Sequence, residues 1–184
     1  FRFAWVIGAG EILDPNYTRM FWLSKVLEQY RNQKGKSPET DEALSILEAV
    51  WPGEERLLIT RSKVGMPHTM HFVDVRDLLQ GLLLGMEKEA AVGELFTLPG
   101  PRKLTVDEVI PYLSERLGVS YVEANLPISM RYRSLSWEKT HRVLGYTPQH
   151  DLESMVELAL AMRRGEDVGL IATGVPYGSA DKPS

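Results

Sequence analysis

The sequence predicts an α/β domain. Short apolar runs alternate with longer stretches whose apolar residues recur every three or four positions, and several of those stretches open on a capping residue. A chain of 184 residues is long enough for one domain with a sizeable core. Neither an internal repeat nor a long low-complexity segment interrupts it.

Phe1 to Ile7 are apolar apart from Arg2, the pattern of a strand buried on both faces. Gly8 and Gly10 then suggest a phosphate-cradling turn, but the third position of that fingerprint falls on Leu13. A pyrophosphate there would meet Glu11, so the cradle is rejected. Asp14-Pro15 reads as a cap and first helical residue, opening a helix with Met20, Leu23, Leu27 and Tyr30 on one face. Ser37-Pro38 repeats that start after a polar linker, with Leu44, Leu47 and Val50 as the stripe.

Next come the strands "RLLIT" and "MHFVDV", the latter running into a helix whose Leu78, Leu79, Leu82, Leu83 and Met86 are expected in the core. "GELFTLPG" reads as a strand between glycines. Thr105 with Glu108 forms a capping box before "VIPYLSERLG", where Pro111 threatens a kink. "VSYVEANLP" is a strand, and Asp151 caps a last helix through Met155, Val156, Leu158 and Met162. The expected domain is 1–165, with a flexible tail over 166–184.

A net charge of -4 without a Lys/Arg run argues against a nucleic-acid surface. There is no cysteine, and His68 and His71 stand three apart without a third ligand pattern, so no metal site is expected. No apolar run is long enough for a membrane span, and a cytoplasmic protein is expected. A chain opening on Phe in mid-strand suggests a fragment.

Three blocks, in order, resemble the C-terminal half of the extended short-chain dehydrogenase/reductases, the NAD-dependent epimerase/dehydratase family. "RFAWVIGAG" is similar to the strand after the family's catalytic Tyr-x-x-x-Lys, with Arg2 and Gly8 matching and Trp5 where Asn is usual. The block from His71 to Gly118 keeps the order and spacing of the family's Asp-Phe-Val-His-Val-Asp-Asp motif, helix, strand and Thr-x-x-Glu helix. "SWEKTHRVLGYTPQHDLESMVELAL" resembles the closing block, with Lys139, Leu144, Gly145, Tyr146 and Pro148 in place.

The resemblance implies the last strands of a Rossmann-type sheet plus a small, incomplete substrate-binding subdomain. It implies NAD or NADP as cofactor, with the glycine-rich turn and the Tyr-Lys pair lying upstream. Neither Tyr112, Tyr132 and Tyr177 nor any other Tyr is read as having a Lys four residues on, so no catalytic residue is assigned and the chain alone is expected to be inactive. The parent protein is expected to be an epimerase, dehydratase or reductase. The alternative is a non-catalytic dinucleotide sensor or interaction module of the same fold.

By the same resemblance, Phe3 is a candidate cofactor contact, and Trp5, Met70, Arg131 and Arg133 are candidate substrate contacts. Met70 stands where nucleotide-sugar members carry a phosphate-binding Arg, and the second such position falls near Leu126. Bidentate Arg suits phosphate oxygens and Met does not, although Arg131 and Arg133 lie close enough in sequence to supply charge. A small-molecule substrate other than a nucleotide sugar is therefore expected, with a homodimer as a candidate assembly of the full-length protein. Asp74 or Asp77 is expected to cap the following helix, Arg76 to pair locally, and Lys139 to be structural.

Overall fold

The computed structural model describes residues 1–128 and 134–169. The opening segment forms β1 (Arg2–Phe3) and β2 (Trp5–Ile7), broken at Ala4. β2 runs parallel to β5 (Phe72–Asp74), and β1 runs parallel to β6 (Thr97–Leu98). The backbone donors of Arg2, Ala4 and Trp5 go to the carbonyls of Phe96, Leu98 and His71. This strand is not buried on both faces as its composition suggests. Phe1 and Phe3 are 45% and 47% exposed, and of residues 1–7 only Ile7 is fully buried.

The helix expected from Asp14-Pro15 starts later. Asp14 instead closes a turn, its Oδ1 accepting from Asn16 N–H and its carbonyl from Thr18 N–H and Oγ1. A single 3-10 turn follows at Arg19–Phe21, and Trp22 is extended because it bridges Leu57. Only then does α1 (Leu23–Arg31) begin. α2 (Pro38–Ala49) begins where Ser37-Pro38 predicts, the Ser37 hydroxyl accepting from Thr40 N–H.

β3 (Leu57–Ser62) pairs in parallel with β8 (Tyr121–Leu126) over six residues. Leu23, Leu27, Leu44 and Leu47 of α1 and α2 bury Leu58, Ala124 and Leu126 in one core. Leu57 and Ile59 enter a second core with Val109, Ile110 and Leu113 of α4 (Val106–Leu117) and Met155 and Val156 of α6 (Leu152–Arg163). Alternate side chains along β3 thus serve opposite cores, as a pleated strand requires. The capping box at Thr105 and the Asp151 cap both form. Between them, α5 (Glu138–Leu144) is a short helix that no periodicity announces, closed by Gly145 at φ 73.

"MHFVDV" is split at His71 into β4 (Thr69–Met70), antiparallel to β7 (Leu104–Thr105), and β5. α3 (Val75–Glu87) departs most from expectation: its Leu and Met positions are not core. It buries Asp77 and Gly81, and a Cβ on Gly81 would lie 2.5 Å from a Leu98 methyl, so the helix touches the sheet along its smallest residue. Leu79 and Leu83 are exposed and Met86 is 82% exposed. With Val75 they lie on one helical face, and the Phe1 ring packs against Gly85 beside them. The expected tail is described only as far as Gly169, and residues 170–184 lie outside the described residues.

Asp77 fastens α3 to the start of α6. It is 1% exposed and accepts from Gln149 N–H at 3.1 Å, His150 N–H at 2.9 Å and His150 Nδ1 at 2.7 Å.

Two outcomes follow. Asp77→Ala leaves three donors without their acceptor and should cost about 3 kcal/mol in urea unfolding, with Asp77→Asn retaining part of it. The apolar row from Val75 to Met86 and the half-exposed β1 should make this chain self-associate when studied alone. Size-exclusion chromatography should then show Leu83→Glu reducing the apparent size, and a compact wild-type monomer would contradict it.

Candidate functional site

In open α/β sheets, ligands bind outside the carboxyl ends of parallel strands. Here those ends are Ile7–Gly8 on β2 and Asp74–Val75 on β5, in register as Ile7 opposite Asp74. Gly8 N–H donates to Glu11 Oε2 at 2.8 Å, and the Gly8 carbonyl accepts from Glu11 and Ile12 N–H. Ile12 and Leu13 are buried and anchor this turn, and Arg163 Nη2 donates to the Leu13 carbonyl at 2.8 Å. Glu11 thus sits at the glycine turn itself, where the sequence placed it against a pyrophosphate.

On the neighbouring strand end, Asp74 accepts from Arg76 N–H at the start of α3 and pairs bidentately with its guanidinium, both contacts 2.8 Å. The Asp74 carboxylate holds the Arg76 pKa above its ordinary value. Cap and local pair are both as the sequence suggests. Lys139 likewise has a structural setting, with Nζ 2.6 Å from Glu94 Oε2, 3.0 Å from the Leu95 carbonyl and 5.0 Å over the Phe96 ring.

Trp5 is half-buried, its ring against Tyr17, Phe21 and Phe72 at centroid distances of 5.8, 6.4 and 5.3 Å. Tyr17 closes over the strand by donating its hydroxyl to the Val6 carbonyl. Phe3 keeps apolar surface open on β1. Met70 is 4% exposed, inside the core below Phe72. Arg131 and Arg133 lie outside the described residues. Of the sites named from sequence, Phe3 and Trp5 thus lie on the opening strand and Met70 in the core.

Contrary to the expectation that no Tyr has a Lys four residues on, one Tyr-x-x-x-Lys spacing occurs, Tyr30 and Lys34. Tyr30 lies near the end of α1 against the α1–α2 core, and Lys34 lies past the helix end. Burial raises the Tyr30 pKa, opposite to what an acid/base tyrosine at neutral pH needs.

A pocket of about 320 Å³ opens beside His71, walled by Arg102, Lys103, Ser134, Ser136 and Trp137. His71 is buried, and its ring spans two backbone groups. Nε2 donates to the Gly100 carbonyl at 3.1 Å, and Nδ1 accepts from Leu135 N–H at 3.3 Å. The imidazole must be neutral to accept at Nδ1, and burial lowers its pKa against the opposing pull of Gly100. Trp137 stands edge-on to His141 and Tyr146, closing the far side. Among the described residues no group of three metal-ligating side chains occurs, and no helix is long and apolar enough to cross a membrane.

Because the fold holds His71 neutral, the unfolded chain binds more protons below the ordinary value of 6.5. Its contribution to stability is complete above that pH and is lost as pH falls through the lowered folded value. Thermal unfolding between pH 8 and 5 should show this loss on acidification, and His71→Asn should flatten it.

No protein-family model and no curated protein matches the chain. Solved structures do. It is similar to a short-chain dehydrogenase/reductase superfamily protein from Agrobacterium tumefaciens with bound NAD, at 26% identity and a TM-score of 0.78, over 89% of this chain and 49% of that one. It is also similar in fold to the UDP-glucuronic acid 4-epimerase of Bacillus cereus, solved with UDP-glucuronic acid and NAD: 17% identity, TM-score 0.52, 85% of this chain and 41% of that one. The UDP-glucose 4-epimerase of Thermotoga maritima matches at 22% identity and TM-score 0.55, over 89% and 45%. Over about half the length of the solved structures it matches, the chain carries the fold of the short-chain dehydrogenase/reductase superfamily.

Proposed function

We infer that this chain is the substrate-binding, C-terminal part of an NAD(P)-dependent epimerase, dehydratase or reductase. The observation that carries this is the similarity to an NAD-bound superfamily member over 89% of the chain. The cofactor's phosphate cradle and the acid/base tyrosine are assigned to the remaining half of that architecture. The half-exposed Phe3 offers apolar surface to the cofactor, and Trp5, braced by three aromatic rings, forms an apolar wall for the substrate.

The substrate is a small molecule that lacks a nucleoside diphosphate. A pyrophosphate leaving water must be met by charged or well-oriented donors. Met70 brings no charge, and Leu126 is buried. The nearest cationic side chains in sequence are Arg131 and Arg133, which follow Leu126 closely in the chain.

Calorimetry decides both points. The whole gene product should bind NAD or NADP while this chain alone does not, and no binding by the whole product would overturn the reading. Dinucleotide binding without turnover of any sugar or polyol substrate would favour the sensor alternative. UDP and dTDP should bind neither form tightly. Micromolar binding lost on Arg131→Ala or Arg133→Ala would restore a nucleotide-sugar enzyme.

A further inference from the structure

We propose that Glu11 is an internal stand-in ligand at the carboxyl end of β2, closing that strand end to anions. The placement of a substrate there rests on the proposed function; the contact itself does not. Gly8 N–H is a donor at that strand end, and Glu11 Oε2 occupies it at 2.8 Å. The space is close-fitting: a Cβ on Gly8 would lie 2.7 Å from that same oxygen. The turn's frame is fixed by buried Ile12 and Leu13 and by Arg163 on the Leu13 carbonyl, whereas Glu11 itself is only half-buried. Its side chain is the movable part of a rigid turn.

The adjoining strand end is closed in the same sense. Arg76 N–H is taken by Asp74, and the Arg76 guanidinium is held bidentately by that carboxylate. A phosphate or carboxylate reaching Gly8 must therefore displace one negative charge and stay beside it. A hydroxyl meets no such opposition, because it can donate to the carboxylate already there. Glu11 accordingly selects neutral, hydroxyl-bearing substrates and rejects anionic ones.

Hydrogen exchange over residues 5–13 of the protein tests this without cofactor or turnover, so its failure is separate from failure of the dehydrogenase reading. In Glu11→Ala the Gly8 amide should exchange roughly tenfold faster, a hydrogen bond's worth of lost protection. Inorganic phosphate should slow that exchange again, while leaving the wild type unchanged. Equal exchange in both proteins, equal protection of the wild type by phosphate, or no phosphate effect on the variant would each overturn the proposal. Should Glu11→Ala not fold, Glu11→Gln keeps the shape without the charge, and it must gain phosphate protection for the proposal to stand.

Discussion

Three consecutive carbonyls, those of Leu98, Pro99 and Gly100, take donors from three different parts of the chain. Ala4 N–H reaches Leu98, the Tyr146 hydroxyl reaches Pro99 at 2.6 Å, and His71 Nε2 reaches Gly100. Gly100 N–H in turn donates to Phe72 at 2.7 Å, an approach so close that a Cβ on Gly100 would sit 2.4 Å from the Phe72 oxygen. Only glycine permits that contact. Through it the opening strand, β5, the His71 pocket and the closing block are held in one frame. Burial, reinforced by the Asp77 charge, keeps the Tyr146 hydroxyl protonated by raising its pKa, so it remains a donor.

That frame separates two environments only a few residues apart. On one side, the strand ends are closed by Glu11 and by the Asp74–Arg76 pair, with Trp5 packed among other rings. On the other, His71 ties residues 134–137 to the sheet through Leu135 and leaves a polar pocket with two basic side chains at its rim.

What was legible in the sequence was local. Ser37-Pro38, the Thr105–Glu108 box and the Asp74 and Asp151 caps each depend on residues within three or four positions of one another, and each forms as read. What was not legible depends on distant partners. α1 starts late because Trp22 is drawn into a bridge with Leu57, and the strand through His71 breaks because that imidazole serves Gly100 and Leu135. The Leu and Met face of α3 has the periodicity of a core helix, yet the sheet is met by Gly81 on the opposite side. Periodicity reveals that a face is apolar, but not what covers it. At the site, Glu11 could be placed near the glycine turn from spacing alone, whereas its bond to Gly8 required the backbone path.

The subdomain behind the site is built from two excursions of the chain away from the sheet. One runs from the Gly8 turn to β4 and contributes α1, α2 and β3; the other leaves at Gly100, contributes α4 and β8, and is back in place by α5. They are joined side by side by the β3–β8 pairing. Each excursion is pinned at its base, the first by Trp5 N–H on the His71 carbonyl and the second by the Tyr146–Pro99 contact, so its turns lie within an already closed loop. Closure entropy grows only logarithmically with length, by about 0.6 kcal/mol per doubling. Lengthening a turn such as 32–36 is therefore inexpensive, whereas shifting β3 by a single residue exchanges the contents of both cores. The architecture leaves the outer loops free to drift in length while holding the register of one buried strand nearly fixed.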